Sequence, residues 1–361
     1  MFFRLLYPLH DSFRAFNVFR YATFRSALAA VTALVLSLAL GPWLIRRLRQ
    51  FQIGQEIREE GPSSHQTKRG TPTMGGILII TSIVLPTLMW VNLDNPLVWV
   101  ATGSIVLFGL IGFIDDYLKL TKKQNLGLRP STKFALQLVL GVLIGLALMG
   151  LSSAGQWEAN LQVPFLKTVK PSLGWLYVPF AMLVVVGAAN AVNLTDGLDG
   201  LAIGSTLIAS GTFVILTYAA GNAKVAHYLG IAGVKGADDL AVLCAAMVGA
   251  SLGFLWFNCH PAQIFMGDVG SMAIGGGLGT IAVLVKQELL LGLVGGLFVL
   301  EAVSVIVQVV SFKTRGQRVF RMAPLHHHFE LSGWDESKVV IRFWILALIF
   351  SLLSLATLKL R

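Results

Sequence analysis

Cysteine is nearly absent from these 361 residues: Cys244 and Cys259 are the two present, both in or at the end of one apolar run. Two thiols so placed exclude a disulfide framework and a paired-cysteine metal site, and both read as small packing residues. Charge is scarce as well. Asp, Glu, Lys and Arg make up 13% of the chain, against about 25% in soluble domains. There is no internal repeat, no low-complexity tract and no shift in composition that would mark a second folded unit.

What is abundant is apolar sequence: 55% of residues are hydrophobic and the mean hydropathy is +0.73. A soluble chain would divide such residues among amphipathic elements. Here they stand in unbroken runs near the ~20 residues a helix needs to cross the hydrocarbon core. Ten runs are expected to span, near 23–45, 75–94, 97–116, 132–151, 173–192, 200–220, 238–257, 272–286, 289–312 and 339–359. The eighth is short, and the ninth carries Gly292, Gly295, Gly296 and the polar Glu301 and Gln308. Bent or broken helices are tolerated in a membrane where they pack inside protein or line a cavity. The expected fold is therefore all-α: a polytopic integral membrane protein of about ten transmembrane helices, forming one domain over 23–361. Residues 1–22 are rich in Phe and Arg and lack a signal-cleavage site, so they read as an interfacial segment ahead of the first span.

The formal net charge is +10. Its basic residues are strung between apolar runs rather than clustered on a soluble module, which argues against nucleic acid and for anionic lipids and substrates. Their distribution also sets the orientation. The loops after spans one, three and nine hold 16 Lys and Arg, whereas the opposite side, both termini included, holds 11. The first side is expected to be cytoplasmic, and an even number of spans places both termini outside.

Every motif with chemical capacity falls in an odd-numbered loop. Lys68-Arg-Gly-Thr-Pro-Thr73-Met-Gly-Gly76 follows span one, and Asp115-Asp116-Tyr-Leu-Lys119 ends span three, with Lys133 beyond it. Asn190-Ala-Val-Asn193-Leu-Thr-Asp196-Gly-Leu-Asp199-Gly200 follows span five. Asn258 and Phe265-Met-Gly267-Asp268-Val-Gly270 follow span seven, and Pro324-Leu-His326-His327-His328-Phe-Glu330 follows span nine. Odd loops share a face, so the spans deliver all of these to one surface.

Adjacent carboxylates at a helix end suit two uses, holding a hard cation or accepting a proton. The plain alternative is a solvated pair bridged to Lys119 at helical spacing. The Asp196–Asp199 loop alternates acids with glycines, as close backbone approach to a ligand requires, although a tight turn would read the same. Gly-Asp-Val-Gly is a weak pattern alone: Asp268 could hold magnesium beside a phosphate at a helix N-terminus, or simply cap that helix. Three consecutive histidines point in different directions on a helix and have no partners at zinc spacing, so phosphate or sugar contact suits them better. Lys68, Arg69 and Lys119 are candidate pyrophosphate partners. Glu301 reads as part of a polar seam in the bundle, and Gln308, nearer the cytoplasmic end, is within reach of the site.

Together these motifs resemble the phospho-N-acetylmuramoyl-pentapeptide transferases, within the polyprenyl-phosphate N-acetylhexosamine-1-phosphate transferases, from about Phe24 onward. The aspartate motifs are shared across the superfamily; the histidine triplet with its flanks is particular to the muramoyl branch. The resemblance implies a magnesium-dependent enzyme of the bacterial inner membrane with ten spans, periplasmic termini and a homodimeric state. Such an enzyme moves phospho-MurNAc-pentapeptide from UDP-MurNAc-pentapeptide to undecaprenyl phosphate, giving lipid I and UMP. By motif position, Asp268 matches the magnesium-binding aspartate, and Asp115 and Asp116 the essential pair. Asp199 and Phe265 match residues around the uracil; Lys68, Thr73, Asn193 and Asp196 match the neighbouring nucleotide-sugar pocket. Gln308 and His326 to His328 match residues lining the rest of the cleft. Lys119, Lys133, Asn190 and Asn258 complete the candidate substrate-binding set. Two rivals stand beside this reading: a GlcNAc-1-phosphate transferase to a polyprenyl phosphate, and a transporter of anionic nucleotides or lipids. The transporter would place acids and bases at the membrane midplane, where this chain has only Glu301.

Overall fold

A computed structural model of the chain describes residues 1–11, 13–50, 70–122, 127–164, 166 and 170–358. Helices are the only regular structure among the described residues, which have no strand beyond isolated bridges such as Asn160–Ser172. The helices are α1 (Phe2–Leu6), α2 (Ala22–Gln50), α3 (Gly76–Trp90), α4 (Pro96–Lys122), α5 (Pro130–Ser153), α6 (Tyr177–Thr195) and α7 (Leu201–Gly221). They continue as α8 (Ala223–Leu229), α9 (Ala237–Asn258), α10 (Gly267–Leu284), α11 (Glu288–Val294), α12 (Gly296–Arg315), α13 (Leu325–Glu330) and α14 (Glu336–Ala356). Among the described residues nine helices are long and apolar enough to cross a bilayer, and α3, 15 residues with Pro86 inside, is a shorter apolar tenth.

Two of the expected spans differ in the structure, and so does the burial of one cysteine. The ninth is broken at Gly295 into α11 and α12. The Phe350 ring lies where a Cβ on Gly296 would stand, 2.6 Å away, so the break lets α14 close on the chain. The eighth begins earlier than the apolar run, at Gly267, so Asp268 sits in the first turn of α10 rather than in a loop before it. Lastly, Cys244 is buried, as a packing residue should be, but Cys259 is exposed just past the end of α9.

The interior is organised on α10, which is buried on nearly every side and packs against α4, α6 and α3. Its run Gly275-Gly-Gly277 presents no side chains, so neighbouring helices approach closely without a hydrophobic drive between them. On the periphery Leu183, Trp256, Ile306 and Leu352 are exposed, as a lipid-facing surface requires.

The odd loops converge at one end of the bundle. Phe265 N–H donates to Pro72 O at 2.8 Å, and Gly75 and Gly76 N–H donate back to Phe265 and Met266 carbonyls at 2.9 Å. At the opposite end, Arg25 pairs with Asp239 at 2.6 Å, and Asn95 donates to Gly236 O at 2.7 Å. The N-terminal segment packs there too: the Met1 amino group bonds Leu88 O at 2.6 Å, and Phe2 and Phe19 stack about Trp90.

Candidate active site

Four helices bring their charges to one point at the odd-loop end. Asp115, Asp116 and Lys119 come from the last turns of α4, Lys133 from the first turn of α5, Asn193 from the end of α6 and Asp268 from the start of α10. Lys119 is the hub. Its Nζ lies 2.7 Å from Asp115 Oδ2, 3.3 Å from Asp116 Oδ1 and 2.6 Å from Asp268 Oδ2. Lys133 Nζ reaches the same Asp268 oxygen at 2.9 Å and Asp115 Oδ2 at 3.5 Å. Asn193 Nδ2 donates to Asp268 Oδ1 at 2.6 Å and to Ser271 Oγ at 2.8 Å.

Asp115 and Asp116 are 2% and 4% exposed, so they are not a pair left to water at a helix end. Buried carboxylates persist only when paired and hydrogen-bonded. Leu128 N–H supplies a donor to Asp115 Oδ1 at 2.7 Å, and Val269 N–H another to Asp116 Oδ2 at 3.3 Å. Gly267 makes the crossing possible. Its φ is +70°, and a Cβ there would stand 2.6 Å from Asp116 Oδ2 and 2.9 Å from Thr73 Oγ1. Only glycine fits both the backbone angle and the space. The same contact places Thr73 beside the cluster.

Asp196 follows α6 and faces the same group. Burial, and then the charges of Asp268, Asp116 and Asp199, push its carboxyl up to about 8, against a smaller opposing effect of Gly267 N–H. Asp196 is therefore largely protonated at neutral pH.

A second knot holds the Asp196–Gly200 loop from behind. Asp199 Oδ2 accepts from Ala262 N–H at 3.0 Å, and Asp199 N–H donates to Glu336 Oε1 at 2.9 Å. His260 Nδ1 lies 3.3 Å from Asp199 and 3.5 Å from Glu336. Asn258 bridges backbone on both sides, accepting from Gly200 N–H at 3.1 Å and donating to Ile264 O at 2.8 Å. Neither His260 nor Glu336 stands in a pattern the sequence makes visible; the available signal was that each is a titratable residue on an odd loop or at its edge.

The three histidines separate. His326 is fully buried, its Nδ1 3.2 Å from Glu301 Oε2, which also accepts from Leu325 N–H at 2.8 Å. Nε2 of His326 points at Gly197, where a Cβ would come within 2.2 Å. His327 pairs with Glu330 at 2.8 Å and His328 Nδ1 accepts from Arg321 N–H at 3.1 Å, both on the short helix α13. Glu301 thus anchors α13 as well as lining a seam.

Two candidates are occupied elsewhere. Asn190 Nδ2 donates to Gln137 Oε1 at 2.6 Å, tying α6 to α5, and does not join the cluster. Gln308 spans its own loop, bonding the backbone of Val319 and Phe320 at 2.9–3.0 Å. Phe265 is half-buried in the turn ahead of Gly267. Lys68 and Arg69 lie outside the described residues.

Asp115, Asp116 and Asp268 each offer a carboxylate oxygen, all within 4.8 Å of one another. Hard oxygen donors in that number fit a magnesium ion, and the Lys119 ammonium bonded to all three shows that the position attracts a cation.

A polytopic helical bundle with an acid-rich, lysine-bridged site at one membrane face belongs to a class of membrane transferases: the profile of glycosyl transferase family 4 matches residues 98–286. A signature of the phospho-N-acetylmuramoyl-pentapeptide-transferases matches residues 68–80. Proteins of that name from Koribacter versatilis, Citrifermentans bemidjiense and Geobacter sp. are 53%, 55% and 54% identical to this chain, each alignment covering the whole of both chains. The chain belongs to the phospho-N-acetylmuramoyl-pentapeptide transferase family.

Proposed function

We propose that the chain transfers phospho-MurNAc-pentapeptide from UDP-MurNAc-pentapeptide to undecaprenyl phosphate, forming lipid I and releasing UMP. An oxygen of the lipid phosphate attacks the MurNAc-bearing phosphorus; that P–O bond forms as the bridging P–O bond to UMP breaks. Both reactants are anions, so the catalytic demand is electrostatic. The observation that carries this reading is the meeting of Lys119 and Lys133 with Asp115, Asp116 and Asp268 at one end of the bundle. The two ammoniums neutralise the pyrophosphate, and Asn193 and Thr73 orient it. Asp268, Asp115 and Asp116 would hold magnesium, which when bound supplies further charge neutralisation at the phosphates. The Asp196–Gly200 loop and Phe265 take the nucleoside, and His326 to His328 the remainder of the donor.

The odd-loop face is cytoplasmic and both termini periplasmic in this reading, as the lysine and arginine distribution supports, and the protein acts in the bacterial inner membrane as a homodimer. Direct attack by the lipid is favoured over a phospho-aspartyl route. Both oxygens of Asp268 are engaged, one by two ammoniums and the other by Asn193, which makes that carboxylate a poor nucleophile.

The test uses purified protein in detergent with undecaprenyl phosphate and magnesium, offered UDP-MurNAc-pentapeptide or UDP-GlcNAc, with UMP and labelled lipid product followed. Magnesium-dependent turnover of the muramoyl donor alone is expected. Turnover of UDP-GlcNAc instead would reassign the donor, and no turnover by folded protein would refute the transferase reading. Exchange of UMP into the donor without lipid acceptor would overturn direct attack.

A further inference from the structure

Helices α5 and α6 run antiparallel and meet along one ridge of each. On α5 the ridge is Lys133, Gln137, Gly141 and Gly145; on α6 it is Asn190, Val186, Met182 and Val178, again at intervals of four. Away from the charged cluster the two glycines let the helices touch. A Cβ on Gly141 would stand 2.8 Å from Met182 Cγ, and one on Gly145 would stand 3.0 Å from Val178 Cα. Small residues at such a crossing hold helices together in lipid by close packing.

The last rung before the cluster is of another kind. Gln137, 1% exposed, accepts through Oε1 from Asn190 Nδ2 at 2.6 Å. Nδ2 of Asn190 also donates to Val186 O at 2.8 Å, so both of its amide hydrogens are engaged within the helix pair. Buried amides in a membrane-spanning helix are costly unless bonded, and an apolar rung would continue the seam without that demand. What a buried amide pair adds between helices is register, which sliding apolar contacts fix less sharply.

Register matters here because of what lies one turn further on. Lys133 is four residues before Gln137 and Asn193 three after Asn190. Each therefore stands roughly 4.5 to 6 Å nearer the cluster, on about the same face of its helix. These are the side chains that α5 and α6 send to Asp268: Lys133 Nζ lies 2.9 Å from Oδ2, and Asn193 Nδ2 donates to Oδ1 at 2.6 Å. Asp268 is thus clasped from two helices whose mutual placement is pinned one turn away by the amide pair.

We propose that Gln137 is a positioning residue for the transfer: its hydrogen bond with Asn190 sets α5 against α6 so that Lys133 and Asn193 close on opposite oxygens of Asp268. The proposal rests on the transferase reading, and it gives Asn190 the same positioning role in place of substrate contact. Misplacing a reacting group by about 1 Å lowers a rate by up to about a hundredfold. Lys119 keeps its own contacts with Asp115, Asp116 and Asp268, so part of the electrostatic stabilisation survives loss of the rung.

The test begins with Gln137→Met, which keeps length and volume and removes the acceptor. Its kcat is expected to fall about ten- to a hundredfold. KM for UDP-MurNAc-pentapeptide, the Kd of UMP and the number of UMP sites per chain stay within about twofold of wild type, because the nucleoside loop is not tied to this rung. Asn190→Leu gives a similar loss, and the two changes together give no more than either alone. The exchange variant, Gln137→Asn with Asn190→Gln, keeps both amides and their summed length and should restore kcat to within about threefold of wild type. A side chain that touched substrate from position 190 would not be restored in this way. Wild-type kcat in Gln137→Met, a loss carried by donor KM or by the number of UMP sites, additive effects in the double variant, or no recovery on exchange would each overturn the proposal. Turnover by the wild-type protein leaves the transferase reading standing in all of those cases; absence of wild-type turnover with every donor would instead sink the transferase reading itself.

Discussion

Replacing Asp268 by Asn tests the centre of the site with almost no change in shape. Lys119 and Lys133 lie 2.6 and 2.9 Å from Asp268 Oδ2. At an effective dielectric near 20, each such contact is worth roughly 6 kcal/mol of gross Coulomb attraction. Much of that is offset in the folded protein by desolvation, and Lys119 retains Asp115 and Asp116, so Asp268→Asn folds and melts near the wild-type temperature. Turnover is a different matter. A unit charge about 4 Å from a bound cation or a phosphoryl group contributes about 4 kcal/mol at the same dielectric, which is a factor of about 10³ in rate. The assay is UMP release from UDP-MurNAc-pentapeptide with undecaprenyl phosphate, titrated with magnesium, on protein shown to be monodisperse and folded. Loss of about 10³ in kcat/KM that persists at saturating magnesium is expected. Turnover within about tenfold of wild type would mean that Asp268 carries no charge the reaction needs, and the assignment of the site would fail.

Three further outcomes follow from particular contacts. Glu301→Leu orphans Leu325 N–H and His326 Nδ1, at a cost of about 1–3 kcal/mol in stability, while Glu301→Gln keeps an acceptor and most of the activity; equal thermal melting of the two variants would refute the anchoring role. Gly197→Ala drives a Cβ to 2.2 Å from His326 Nε2 and should raise KM for the nucleotide donor, with partial recovery in the double variant with His326→Ala; strictly additive effects would show that the two do not meet. Asp196, with its carboxyl pushed up to about 8, binds a proton that an unfolded chain releases near 4, so its contribution to stability falls as pH rises through that window. Wild-type melting temperature without magnesium should therefore drop from pH 6 to pH 9, and Asp196→Asn should flatten the curve; parallel curves would refute it.

Several features were legible because they depend on one-dimensional order. Apolar run length fixes the spans, since each must satisfy its own backbone inside lipid, and alternation of loops then forces the motifs onto one face. For that reason the ends of α6 and α9 and the presence of Asp115, Asp116, Asn193 and Asp268 at a common surface needed no coordinates, whereas α4 runs on to Lys122, six residues past the apolar run. Other features depend on distances between helices, which no spacing encodes. Nothing in the sequence says that Lys119 and Lys133 share one oxygen of Asp268, or that Asn190 turns toward Gln137 instead of the cluster. A histidine triplet looks uniform as a string, yet packing buries His326 against Glu301 and Gly197 and leaves the other two on α13. His260 and Glu336 became partners of Asp199 only when the end of α9 met the start of α14. The sequence by itself determined a membrane bundle with an acidic, glycine-rich, histidine-bearing face, because hydropathy and loop parity act along the chain. The tertiary structure alone decided which charges touch, because pairing in a low-dielectric interior is settled by ångström-scale approach between helices far apart in sequence.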